Sequence, residues 1–128
     1  MALSQELIEQ IKENDIAFGG EKRRKEWEEG RIRLDLLEEE YNHMKTMLEN
    51  RKLKESGQPE KPIPEQPIFK SIMKEFDKKL TKCKGNVDLI EQALIENEKE
   101  TNRGTTVRAI HNHFFEEFKK RKGNVKND

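Results

Sequence analysis

The stretch LDLLEEEYNHMKTML, residues 34–48, places Leu34, Leu37, Tyr41, Met44 and Leu48 at alternating spacings of three and four. That spacing is the a/d pattern of a helix whose apolar stripe faces another helix, and Trp27 stands one heptad upstream of Leu34. Around the stripe nearly every side chain is Glu, Lys or Arg. The sequence therefore predicts one long amphipathic helix over residues 21–55 that needs a second helix to cover it. Gly30 would lie inside that helix at a d position, where it marks a bend or a close approach of a partner helix or, as the plainer reading, a tolerated weak spot costing about 1 kcal/mol relative to Ala. Trp27, Leu34, Leu37, Tyr41, Met44 and Leu48 are the candidate protein interface.

The composition agrees with helices that bury little. Of 128 residues, 31% are hydrophobic and 41% charged, against roughly 25% charged in ordinary globular proteins. Regular apolar spacing argues for ordered helices, since a disordered chain of this polarity would lack it. Basic and acidic residues balance at 26 each, so no net field draws the chain to nucleic acid or to an anionic membrane, and any electrostatic function is local. Residues 1–55 hold 11 basic and 14 acidic residues, the remainder 15 and 12. The lone cysteine, Cys83, excludes an intrachain disulfide. Leu7, Ile8 and Ile11 are interrupted by charges, unlike a signal peptide. No run approaches the roughly 18 to 20 apolar residues of a membrane span. A cytoplasmic location and no membrane partner are expected.

Working outward, Ser4 is a helix cap for Leu7, Ile8 and Ile11, and Gly19-Gly20 ends that first element. Downstream, SGQPEKPIPEQP (residues 56–67) carries four prolines and predicts an extended connector acting as a spacer. Pro59-Glu60-Lys61-Pro62 matches the letters of a PxxP motif only. Ile68, Phe69, Ile72, Met73, Phe76, Leu80 and Cys83 share one face of a third helix, about residues 66–82, stopped by Gly85. Asn86 caps a fourth helix with Val87, Ile90 and Leu94 inward, ending near Glu100 before a turn at residues 101–104. The fifth helix starts at Thr105 or Thr106, lines up Val107, Ile110, Phe114 and Phe118, and ends at Gly123. The expected fold is all-α: a small helical bundle or hairpin with one long coiled-coil-like helix. Its expected parts are residues 1–55, a proline-rich linker at 56–67, and a three-helix part at 68–128 with a basic tail.

Catalytic chemistry finds no foothold. His111-Asn112-His113 spells the letters of a nuclease class, but residues two apart on a helix point about 200° from each other and cannot grip one metal. His43 and Cys83 stand alone, and Cys83 at an apolar helical position reads as a small core side chain. Glu28-Glu29 and Glu38-Glu39-Glu40 read as solvated faces. Lys22-Arg23-Arg24-Lys25 is diluted by the glutamates that follow and reads as surface pairing. No catalytic residue, cofactor, metal or small-molecule substrate is expected, and the protein is read as a non-enzyme.

Gly85-Asn86-Val87 through Phe118 resembles the helix-turn-helix of the Fis-type DNA-binding family, in which a Gly-Asn pair caps the first helix. The resemblance spans about thirty residues and departs from the pattern after Leu94: such motifs turn within about three to four residues, whereas here residues 95–104 intervene. No base-reading residue is carried over from it: the hairpin reads first as packing, with Phe114 and Phe118 filling a core, and were it to bind DNA, Thr105, Thr106 and Arg108 at the start of the last helix, with Arg103, would be placed to reach the groove or backbone. The basic run Lys119, Lys120, Arg121 and Lys122, with Lys126 beyond it, adds phosphate-binding charge, although cations in a last helical turn also complement the helix dipole. The expected function is a protein-interaction module (adaptor, regulator or assembly subunit) with a protein partner or itself, and nucleic-acid binding is the alternative.

Overall fold

The computed structural model describes the backbone of residues 3–126 and the side chains of residues 3–120. The chain is all-helical: α1 (Gln5–Glu28), α2 (Leu34–Glu55), α3 (Pro67–Lys82), α4 (Val87–Thr101) and α5 (Arg103–Lys126), with no strand among the described residues.

Ser4 caps α1 as expected, its Oγ accepting the Leu7 N–H at 3.1 Å. At Gly20 the backbone leaves the helical region (φ 68°, ψ −149°) and the helix resumes at once. Trp27 and Asp15, which a straight helix would hold about 18 Å apart, are hydrogen-bonded at 2.9 Å. The two arms of α1 therefore fold back on each other at Gly20, a reversal of direction made without a loop.

The single helix expected over residues 21–55 is two helices. Gly30, at φ 69°, occupies the left-handed position just past the end of α1. The Arg31 N–H bonds to the Glu26 carbonyl and the Gly30 N–H to that of Trp27, which is a Schellman stop. Gly30 is thus a terminator rather than a weak spot, and Trp27 sits on a different helix from Leu34. Gly57 repeats the device at the end of α2, where Gln58 bonds back to Leu53 and Gly57 to Lys54. Gly123, expected to end α5, lies inside it, and α5 begins two residues earlier than Thr105. The turn before it is one left-handed residue, Asn102 (φ 50°, ψ 30°), with the Arg103 N–H taken up by Thr101 Oγ1.

The chain forms two compact units. One joins the N-terminal segment through Ile32 to the segment from Gly104 onward; the other is Arg33–Arg103. This division differs from the expected one at the proline segment, for physical reasons visible on both sides of it. Asn50 of α2 clamps Lys61, donating to its carbonyl at 2.8 Å and accepting its N–H at 2.7 Å. Glu39 of α2 accepts the Ile68 and Phe69 N–H groups at 2.9 and 2.8 Å, capping α3 where Gln66 supplies no side-chain cap. Residues 58–66 are non-helical as expected, but they are strapped to α2 rather than free as a spacer.

In the first unit, Gln10 meets Glu117 and Asn14 meets His113, so the first arm of α1 and α5 run antiparallel, and the Phe18 and Phe115 rings meet edge to face. Ile11, Ala109, Ile110 and Thr106 are buried there. In the second unit α3 packs on α2 and on α4, with Leu36, Leu37, Ile72, Phe76, Cys83 and Ala93 buried. Two faces depart from the sequence expectation. Phe118 is open to solvent, because the buried line of α5 runs through Thr105, Thr106, Ala109, Ile110 and His113 instead. Val87 and Leu94 of α4 are exposed, and Ala93 is its buried apolar residue.

Candidate functional site

Around α2, successive side chains step by 100°, which sorts its residues into two faces. Leu36, Glu39, His43 and Asn50 share the face that carries the α3 cap and the linker clamp. Leu34, Leu37, Tyr41, Met44 and Leu48 share the other. Leu37 is fully buried, Tyr41 and Met44 are half-buried, and Leu34 and Leu48 are exposed; Met47, also exposed, falls beside Leu36 on the first face. The expected interface is therefore one face, but a partly occupied one. Trp27 does not belong to it: on α1, its indole N–H is spent on Asp15.

The charges beside the stripe are ordered. Arg33 grips Asp35 through two bonds of 3.2 and 2.8 Å, and this guanidinium holds the Asp35 carboxyl below its ordinary value. Farther along, Lys61 Nζ donates to Glu49 at 2.9 Å and lowers the Glu49 carboxyl likewise.

The residues proposed for nucleic acid are dispersed. Thr106 is fully buried and Thr105 nearly so, its carbonyl accepting from Arg23 Nη1 at 3.2 Å. The Arg103 guanidinium lies over the Phe69 ring at 4.5 Å. Thr105 and Thr106 are too buried to reach a groove. Arg108, Lys119 and Lys120 are exposed on α5; the side chains of Arg121, Lys122 and Lys126 lie outside the described residues. By the helical step Arg108, Phe115 and Lys119 lie on one side of α5, and Lys119 Nζ stands 4.9 Å from the centre of the Phe115 ring.

His111 is exposed and His113 buried, as their opposed directions on a helix require. Burial holds the His113 imidazole below its ordinary pKa, opposed by the Glu117 carboxylate. Cys83 is a free, buried thiol that donates to the Lys79 carbonyl at 3.2 Å. Among the described residues no three His, Cys, Asp or Glu side chains gather as a metal-binding group.

A buried polar cluster in the first unit has no counterpart in the sequence reading. Asp15 is fully buried at the fold of α1, bonded to the Trp27 indole and 3.5 Å from Arg23 Nη1. Burial raises its pKa, and the Trp27 hydrogen bond and the Arg23 charge oppose that rise. Glu26 is buried beside it, with one oxygen lacking a hydrogen-bond partner. Arg23 is thus turned inward rather than paired at the surface, while its neighbour Arg24 makes the expected exposed pair with Glu21. The one available signal is that Ile8, Ile11 and Asp15 fall on a single helical line, so an aspartate continues an apolar stripe. Its contacts tie the two arms of α1 and α5 together.

No protein family matches this chain, and no curated protein or solved structure matches it either. No helix among the described residues is long and apolar enough to cross a membrane.

Proposed function

We propose that this protein is a non-enzymatic, cytoplasmic interaction module, an adaptor, regulator or assembly subunit, that binds a protein partner through the apolar stripe of α2. One observation carries the reading: Leu34 and Leu48 stay exposed, with Tyr41 and Met44 half-buried between them, while the far side of α2 is occupied by the cap and the clamp. Covering a large apolar side chain contributes about 1.5 to 3 kcal/mol before ordering costs. The cytoplasmic placement rests on the single cysteine of the sequence.

The test is capture of partners from host lysate by the tagged protein, against a Leu34→Lys/Leu48→Lys variant. A protein retained by the wild type after nuclease treatment and lost by the variant supports the stripe. Equal retention by both overturns it. Leu37→Lys is unsuitable for this purpose, because a charge at that buried position unfolds the unit.

The second reading is nucleic-acid binding, supported by Arg108, Lys119 and Lys120 exposed along α5. Phosphate contacts weaken steeply with salt, whereas an apolar helix interface does not. Binding to a duplex that falls sharply as salt is raised, and that Lys119→Glu/Lys120→Glu removes, would favour this reading over the first.

A further inference from the structure

The α4 residues that the sequence assigns to a core form an uncovered arc. Val87 is 73% exposed, Leu94 and Ile95 are each 51% exposed, and the three fall within about 100° of one another around the helix. Glu91 and Glu98 step into the same arc, and α4 as a whole carries five carboxylates against the single Lys99. An apolar strip set among like charges disfavours a second α4, since carboxylates would oppose carboxylates. It suits a helix that brings large apolar side chains among cations.

This chain carries such a helix. Near the end of α5, Phe115 and Phe118 are 49% and 63% exposed and, three apart, lie on one side. Lys119 is exposed beside them, 4.9 Å from the centre of the Phe115 ring, Lys120 is exposed farther round the helix, and the sequence continues with Arg121 and Lys122. Glu116 tempers this charge through a 3.8 Å pair with Lys119 without reversing it. We propose that α4 docks the end of α5 from a second copy of this chain. Val87, Leu94 and Ile95 then cover Phe115 and Phe118, and the carboxylates of the same α4 arc meet Lys119. The contact is heterologous: two different surfaces meet, so every copy brings both halves. It uses neither Leu34 nor Leu48 and stands apart from the α2 stripe.

The test measures average mass against concentration, by sedimentation or light scattering, on the nuclease-treated full chain. At about 0.1 M salt the mass rises above the 15.2 kDa of one chain. It returns toward that value at about 1 M, where the Debye length has fallen from about 10 Å to about 3 Å. Val87→Lys/Leu94→Lys raises the apparent Kd about tenfold or more with helical circular dichroism unchanged, and Lys119→Glu/Lys120→Glu does the same. Mixing these two variants recovers association, because each supplies the surface the other lacks. A chain that stays monomeric at every concentration overturns the proposal, as does association lost on nuclease treatment. Association that ignores both variants but is abolished by Leu34→Lys/Leu48→Lys overturns it too, and transfers self-pairing to α2. Failure of the mixture to recover excludes the pairing of unlike faces.

Discussion

The Trp27 indole N–H donates to Asp15 Oδ2 at 2.9 Å across the fold in α1, and Arg23 stands 3.5 Å from the other carboxylate oxygen. A buried carboxylate is costly to desolvate, and here its compensation comes from the very residues that the reversal at Gly20 brings over it. Asp15→Ala leaves the indole N–H without its acceptor and takes the carboxylate from beside the Arg23 guanidinium, which keeps only the Thr105 carbonyl, and we predict a loss of about 3 kcal/mol, within the range for breaking a buried pair. Trp27→Phe removes the neutral donor alone and costs about 1 to 3 kcal/mol. Urea unfolding followed by circular dichroism measures both; equal, negligible losses would mean that the cluster does not hold the two arms together.

Gly20 adopts φ 68°, ψ −149°, a region almost closed to residues with a Cβ. We predict that Gly20→Ala destabilises the protein by about 1 to 3 kcal/mol. Gly19→Ala acts by another route: its Cβ would fall 1.7 Å from Arg23 Cγ, near the root of that side chain, and must push Arg23 away from Asp15. In the background of Asp15→Ala, Gly19→Ala should therefore cost less than it does alone, whereas Gly20→Ala should cost the same. A double-mutant cycle reads the difference.

Asn50 binds the linker backbone with both ends of its amide, donating to the Lys61 carbonyl and accepting the Lys61 N–H. Asn50→Asp keeps the acceptor but sets a second oxygen against the Lys61 carbonyl, and Asn50→Ala removes both bonds. Each should lower stability by about 1 to 3 kcal/mol. Each should also quicken cleavage and amide exchange within residues 58–66, which then behave as the loose spacer that proline content alone suggests. Unchanged exchange in that segment would show that the strap is held by other contacts.

Helix content and most boundaries follow from local signals: Ser4 and Asn86 cap where their side chains predict, and the proline segment is non-helical. What local pattern misses is long-range. The a/d run from Leu34 to Leu48 is a true helical face, yet Gly30 separates it from Trp27 because a glycine followed by the right carbonyl geometry ends a helix as readily as it weakens one. Glu39 looks like one member of a solvated acidic run, and its capping role depends on a helix start 28 residues later at Pro67. Val87 and Leu94 satisfy the periodicity of a core face, but periodicity reports only that a face is apolar, not that the same chain covers it. Asp15 and Arg23 are the hardest to read, since their burial depends on a chain reversal whose only trace is Gly19-Gly20.

His113 is buried, with its imidazole pKa held below the ordinary 6.5 by that burial. Asn14 lies 3.5 Å from Nδ1, the Phe114 ring stands edge-on, and Glu117 and Lys120 act in opposite directions on its charge. In the unfolded chain the imidazole takes a proton as pH falls through about 6.5, while the folded chain resists it until lower pH. The unfolded state then holds more protons, so His113 subtracts stability progressively below about pH 6.5 and leaves it untouched above. Asp15 acts in the opposite sense. Its raised pKa lets the folded state keep a proton that the unfolded chain releases above about 3.8, so its penalty grows with rising pH from there up to its folded value. We predict that between about pH 7.5 and pH 5.5 the wild type loses Tm and that His113→Gln, whose amide does not titrate, loses less over the same interval. Parallel Tm profiles for the two proteins across that interval would mean that His113 gains its proton without resistance from the fold.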